Sequence, residues 1–306
     1  MKKNNKLSEV KNVSIIIPTY NEKKTILKVL SEIKQAMFNT KYNFEILLVE
    51  DYSTDGTRQL LRELSNSNKF KKDNIRVIEH SYNKGYGSSL KTGINNAKCD
   101  FLVMLDGDGT YPPEFIPELL KYANKYDLVT GSRVGKKVKI PLLRRPAKLI
   151  LTQLAMLLTG IKIPDLNCGL RVIKKQNIKK FLHLLPERFS FTTTHLLACL
   201  TSDDHVKFVP IDYRERKSSS TIHPIKDFIR FINIIIRIVT YFRPFRMFSM
   251  FSSFLLMLAF FIWAYTFFVL GKIADITVII LISSSLQTFL FGLLADLVIK
   301  TRLKLE

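Results

Sequence analysis

An α/β domain followed by a two-helix membrane hairpin is the fold that this 306-residue sequence predicts, and three observations predict it. Short apolar strands alternate with amphipathic helical patterns between Val13 and Thr130. Each strand runs into a polar segment, which gathers polar chemistry on one edge of a sheet. Two uncharged runs close the chain, each long enough for a bilayer core of about 30 Å.

Residues 1–11 form a basic, polar tail, and without an apolar stretch before Val13 no cleavable signal peptide is expected. Residues 13–18 make a short buried strand stopped by Pro18. Thr19, Tyr20, Asn21 and Glu22 then turn into a helix with Ile26, Val29, Leu30 and Ile33 on one face. A second strand, 44–49, ends in Glu50 and Asp51, and the turn at Ser53, Asp55, Gly56 and Thr57 opens a helix through Leu60, Leu61 and Leu64. The third strand, 75–78, leads through Asn83, Lys84, Gly85 and Gly87 into a helix carrying Leu90, Ile94 and Ala97. Strand 101–105 is the fourth and 128–130 the fifth. This alternation predicts a parallel sheet covered on both faces.

The fourth strand organises the chemistry. It runs directly into Asp106-Gly107-Asp108-Gly109-Thr110. In extended backbone, residues i and i+2 face the same way, so the two carboxylates can meet one ligand. Paired hard oxygens at a strand end suit a divalent cation, Mg²⁺ or Mn²⁺, carrying a diphosphate. An acidic turn with no ligand is the plainer alternative.

Composition narrows the class. The formal net charge of +21 calls for a polyanionic partner: a phosphorylated substrate, an anionic membrane or nucleic acid. Nucleic acid is disfavoured, because the basic residues are dispersed and concentrate near the apolar runs, with no aromatic-interleaved or helix-turn-helix pattern. Cys99, Cys168 and Cys199 are odd in number and lack metal-site spacing, which suits a reducing compartment. The apolar runs, 247–270 and 276–295, are joined by a short polar turn and flanked by Arg237, Arg243, Arg246, Lys300, Arg302 and Lys304. Basic flanks at both outer ends predict a hairpin with its ends in the cytoplasm. Small residues at Ser252, Ser253 and Ser283 to Ser285 allow close helix packing and leave a homo-oligomer open.

Five segments in order carry a family resemblance: residues 17–22 ending Tyr20-Asn21-Glu22, residues 49–57 with Glu50-Asp51 and Asp55-Gly56-Thr57, Asn83-Lys84-Gly85, Asp106-Gly107-Asp108, and Gly131-Ser132-Arg133. Together they resemble the family 2 glycosyltransferases, and their order is similar to that of the polyprenyl-phosphate branch. The likeness spans about residues 13–222 and departs at Glu50, where that branch usually has Asp. The resemblance implies a GT-A, Rossmann-like nucleotide-sugar domain over 12–222; beyond it, the residue pattern predicts a juxtamembrane amphipathic helix over 223–246, two transmembrane helices over 247–300 and a cytoplasmic tail over 301–306. The resemblance further implies nucleotide binding by Pro18, Tyr20, Asn21, Glu22, Glu50, Asp51 and Lys84. Asp106 and Asp108 would hold the metal, with Arg133 as a second cation at the reacting diphosphate.

On the acceptor side, Arg144 and Arg145 resemble the family's paired arginines. Asp165 to Arg171 resembles its Asp-x-x-Ser-Gly-Phe/Leu-Arg segment, with Cys168 in the Ser position. The stretch 213–222 resembles its Arg-x-Gly-x-Ser-Lys loop, with Ser218 and Thr221 replacing Gly and Lys. Arg144, Arg145, Arg171, Arg216 and Ser220 are therefore expected at an acceptor phosphate, which arginine's planar fork suits. The implied activity is inverting transfer of a hexose from a UDP- or GDP-sugar to a polyprenyl phosphate. His195, His205, Asp203 and Asp204 lie where relatives place a carboxylate base and are read as structural. A different acceptor, or a non-catalytic nucleotide-sugar-binding scaffold, are the competing readings; the scaffold would need broken metal carboxylates, and both are intact.

Overall fold

The computed structural model describes residues 10–67, 70, 72–134, 145–188, 190–202, 204–215, 224–271 and 275–305. Seven strands among these form one sheet: β1 (Asn12–Thr19), β2 (Asn43–Glu50), β3 (Ile75–Glu79), β4 (Phe101–Met104), β5 (Leu128–Ser132), β6 (Arg171–Lys174) and β7 (Val206–Pro210). Their spatial order is β3-β2-β1-β4-β6-β5-β7. The first four strands are mutually parallel, and β5 pairs parallel with β7.

The sheet is mixed, which corrects the all-parallel expectation. Strand β6 lies between β4 and β5 and runs antiparallel to both. Its first residue, Arg171, pairs with Met104 near the end of β4 and with Thr130 in β5. A reversed strand brings the segment before it, rather than after it, to the carboxyl edge of its neighbours. The Asp165–Leu170 loop therefore stands beside Asp106 and Arg133. No alternation pattern announces a four-residue strand of this kind.

Alternation along the strands supplies two cores. Ile15, Ile17, Ile46, Leu48 and Val103 face helices α1 (Ile26–Phe38) and α2 (Thr57–Ser65) and the short helical turns at 113–120. Ile16, Leu47, Leu102 and Met104 face α3 (Tyr86–Asn96), where Gly93 leaves no room for a Cβ against Ile16. The same face carries α5 (Arg145–Thr159), α6 (Lys175–Phe181), α7 (Phe191–Thr201) and α8 (Pro224–Phe242), while α4 (Ile116–Leu120) packs on the first face. Helix α8 is expected to lie at an interface, and it also enters this core through Ile235, Ile238 and Val239.

The chain breaks at Arg243 and continues as α9 (Pro244–Phe268) and α10 (Asp275–Leu305). Both are long and apolar enough to cross a membrane, with mean hydropathies of 2.0 and 2.1 over Pro244–Phe268 and Ile276–Ile299. Only 11% of each apolar window is buried, unlike the core helices of a soluble domain. The two helices pack on each other. Ser252 and Ser285 exchange hydroxyl-to-carbonyl bonds of 3.0 and 2.9 Å, and Gly292 lets Phe248 approach. These two serines are thus engaged within one chain rather than offered to a second copy. At the base of the hairpin, Arg243 donates to the carbonyls of Thr201 and Thr159, and Arg246 donates to that of Thr159. The positive heads meet the carbonyl ends of α5 and α7, where the helix dipole favours cations.

At the opposite edge of the sheet, Glu45 ties β1, β2 and β3 together. Its buried carboxylate accepts from Ser14 Oγ (2.6 Å), Lys98 N–H (2.7 Å) and Arg76 Nη2 (2.9 Å). Burial alone would raise its pKa, but the Ser14, Lys98 and Arg76 contacts outweigh that and hold it below the ordinary 4.5. A depressed folded pKa adds stability above the unfolded value, and that stability is lost as pH falls through the folded one. Glu45→Gln is expected to flatten the acid limb of stability against pH below about 4.5, read by thermal melts in a pH series. An unchanged acid limb in the variant would contradict this.

Candidate active site

Four loops at the carboxyl edge, joined by the Asp165–Leu170 segment, build the site. The first follows β1. Asn21 adopts a left-handed φ of 56° and joins the next loop through its N–H to Ser53 Oγ (3.0 Å) and through Thr54 N–H to its Oδ1 (2.8 Å). Pro18 is buried at the strand end, whereas Tyr20 is 42% exposed and open to a planar ligand. Glu22 is buried, with its N–H on Thr57 Oγ1 (3.0 Å). Thr25 Oγ1 lies 2.9 Å from Glu22 Oε2 and 3.0 Å from the carbonyl of Gly107, so the start of α1 is attached directly to the loop after β4.

The carboxylates after β2 hold backbone. Glu50 is fully buried and accepts from the N–H groups of Tyr52 (3.2 Å) and Ser53 (2.6 Å), with Arg58 at 3.7 Å. Asp51 accepts from Lys84 N–H and Gly85 N–H, both at 2.8 Å, and meets His80 Nδ1 at 2.7 Å. The sequence suggests direct nucleotide contact for this pair, and the placement shows both side chains organising the loops that frame the edge. The Lys84 ammonium lies over the Tyr82 ring.

The Asp106–Thr110 loop follows β4. Asp106 and Asp108 are each partly exposed. Tyr86 donates its hydroxyl to Asp106 Oδ1 (2.8 Å), and burial together with that carboxylate pushes the Tyr86 phenol pKa well above its ordinary value. Asp108 Oδ1 accepts from Thr110 N–H (3.0 Å) and Thr110 Oγ1 (2.7 Å). Gly169 presses on Asp106 so closely that a Cβ there would lie 2.5 Å from Oδ2. Among the described residues, no group of three or more His, Cys, Asp and Glu side chains gathers. Asp106 and Asp108 offer two carboxylates, a donor set that a hard cation would need ligand oxygens to complete.

Arg133, just after β5, clamps Asp165 in a two-pronged pair: Nε to Oδ2 at 2.6 Å and Nη2 to Oδ1 at 2.8 Å. Its guanidinium also lies 5.1 Å from the Tyr213 ring centroid. Tyr213 meets Tyr111 edge-on, and Arg214 N–H donates to the Thr110 carbonyl (2.9 Å), so the segment after β7 closes on the Asp106–Thr110 loop. Arg171 is fully buried, donating to the carbonyls of Cys168 (2.6 Å from Nη2) and Thr192 (2.9 Å from Nη1). Its guanidinium holds the loop beside Asp106. The backbone of Arg145 opens α5, while Arg144, Arg216 and Ser220 lie outside the described residues, as does Asp203.

His195 is buried in α7 beside Phe181 and Cys199, and burial holds its pKa well below the ordinary value. His205 N–H donates to Asp127, at the amino ends of β7 and β5 and away from the Asp106–Thr110 loop. The residues missing from the sequence-based list are His80, Tyr86, Thr25, Tyr111 and Tyr213, all supports of the site. Tyr86, Tyr111 and Tyr213 lie in or next to segments that the sequence singles out, whereas His80 and Thr25 carry no such hint.

The seven-stranded mixed sheet carries the Asp106/Asp108 pair at a carboxyl edge, and comparison with known proteins gives the class. Residues 14–182 match the Glycosyl transferase family 2 description, more than half of the chain. The chain belongs to that family and is a glycosyltransferase. Residues 243–300 match the GtrB C-terminal hairpin, in agreement with the polyprenyl-phosphate branch.

Among solved structures, a mycobacterial protein aligns with a TM-score of 0.55 at 18% identity, covering 75% of this chain and 74% of its own. Glucosyl-3-phosphoglycerate synthase from Mycobacterium tuberculosis, in complex with Mn²⁺, UDP and glucosyl-3-phosphoglycerate, aligns at 0.53 and 18% identity, covering 75% and 79%. TarS 1-349 of S. aureus in complex with UDP-GlcNAc aligns at 0.50 and 19% identity, and there 75% of this chain spans 66% of the other. At these identities the likeness shows the shared GT-A fold.

Proposed function

We propose that the protein transfers a hexose from a UDP- or GDP-sugar to a polyprenyl phosphate, with inversion, at the cytoplasmic face of a membrane. The observation that carries this reading is the joining of an intact Asp106/Asp108 pair to a hairpin of the GtrB kind in one chain. A lipid acceptor explains why a nucleotide-sugar domain is mounted on apolar helices. The basic flanks of the hairpin support a cytoplasmic placement of the catalytic domain.

Asp106 and Asp108 would hold Mg²⁺ or Mn²⁺, which when bound neutralises charge that builds on the departing nucleoside diphosphate. Tyr20, with its exposed ring, is the side chain best placed to stack on the base. Asn21 and Glu22 join the first loop to the second, and Glu50, Asp51 and Lys84 shape the opposite wall. Arg133, held by Asp165, keeps a guanidinium at the edge of the reacting centre. Pro18 fixes the start of the first loop. Arg144, Arg145, Arg216 and Ser220 would supply the acceptor-phosphate contacts, and Arg171 supports the loop beside Asp106.

A phosphate monoester is already largely ionised at neutral pH, so its oxygen can attack the anomeric carbon without a strong base. The buried, neutral His195 is consistent with that economy. Incubating the detergent-solubilised protein with radiolabelled UDP- and GDP-sugars and a polyprenyl phosphate tests the proposal. Label from one donor should enter the organic phase as a product of inverted anomeric configuration. Label that enters only soluble products would overturn the lipid acceptor.

A further inference from the structure

We propose that Tyr86 is a positioning residue for the metal-side carboxylate Asp106, and that the buried Asp51–His80 pair fixes the backbone on which Tyr86 is mounted. The inference rests on reading Asp106 and Asp108 as the metal carboxylates. It links the nucleotide side of the site to the metal side through three consecutive residues.

Tyr86 opens α3 directly after Gly85, whose φ of 98° belongs to the region that favours glycine. Asp51 holds the two residues before it, receiving Lys84 N–H on Oδ1 and Gly85 N–H on Oδ2. His80 holds Asp51 in turn, with Nδ1 2.7 Å from Oδ1, while its Nε2 lies 2.9 Å from Thr92 Oγ1 on the same helix α3. A carboxylate facing Nδ1 requires that nitrogen to carry the proton, so in the neutral ring Nε2 accepts from Thr92. The ring thereby braces α3 against the loop it grows from.

The other side of this helix start is clamped as well. Gly87 N–H and Ser88 N–H donate to the carbonyls of Arg188 (3.0 Å) and Glu187 (2.6 Å), and a Cβ on Gly87 would lie 2.1 Å from the carbonyl oxygen of Pro186. Tyr86 is held from two directions, and its hydroxyl ends 2.8 Å from Asp106 Oδ1. A donor fixed behind a metal carboxylate orients it, and loss of such outer partners commonly lowers metal affinity about 10- to 100-fold.

The test is Mn²⁺ binding by electron paramagnetic resonance on the full-length protein in detergent, titrated with UDP or with GDP present, alongside thermal melts. Tyr86→Phe keeps the ring and removes the hydroxyl. It should raise the Mn²⁺ half-saturation about tenfold and leave metal-free nucleotide binding unchanged. His80→Leu should reproduce that shift. His80→Asn, whose amide can replace the Nδ1 donor, should restore Mn²⁺ half-saturation to within about threefold of wild type. If the melting temperature falls in Tyr86→Phe while Mn²⁺ binding stays at the wild-type value, Tyr86 is only a packing residue and the inference is overturned. If the wild-type protein recruits Mn²⁺ with neither nucleotide, the metal reading itself falls and takes the inference with it.

Discussion

Asp108→Ala is expected to lower sugar transfer about a thousandfold, the upper range for removing one element of transition-state charge stabilisation. The variant loses one of the two carboxylates that would hold the cation. It also leaves the Thr110 N–H and hydroxyl without their acceptor, at a stability cost of about 1–3 kcal/mol. Asp108→Asn separates these effects. The amide oxygen can still accept from Thr110, so the melting temperature should recover while transfer stays low. Initial rates and melting curves on the three proteins decide it. An Asn variant with near-wild-type transfer would show that Asp108 is only a turn-former.

The second large effect is expected at Gly169, away from the metal motif in sequence. An alanine Cβ would lie 2.5 Å from Asp106 Oδ2, 2.9 Å from its Cγ and 2.9 Å from the Tyr111 ring. Contacts this short force a movement, and the short Asp106 side chain, already bonded to Tyr86, must take part of it. Misplacement of a catalytic group by about 1 Å can cost about a hundredfold in rate. Gly169→Ala should therefore reduce kcat by about that factor, with a smaller change in nucleotide-sugar KM. Steady-state kinetics at saturating metal check this, and a wild-type kcat would remove Gly169 from the account.

Much of the fold was legible because its signals are local. The strands β1, β2 and β4 are apolar runs that stop at polar residues, and each lies where the sequence places it, as do the two apolar helices. Strand β6 escaped because its four residues follow a loop, and its reversed direction depends on neighbours that no local pattern encodes. The paired carboxylates Asp106 and Asp108 were readable from their spacing alone. The bonds that Glu50, Asp51 and Arg171 make to backbone were not, because a charged side chain in a motif looks the same whether it meets a ligand or a backbone group. Only burial separates the two uses, and burial is set by tertiary packing. Tyr86 and His80 went unread for the same reason, since their partners are 20 and 29 residues away.

The most direct test of the central claim compares two acceptors that differ only in charge. A radiolabelled nucleotide sugar, Mg²⁺ or Mn²⁺ and the solubilised protein are given either a polyprenyl phosphate or the matching polyprenol. The account predicts label in the lipid phase with the phosphate alone, and loss of that transfer on chelation. Equal transfer to the uncharged alcohol, or transfer that survives chelation, would contradict it.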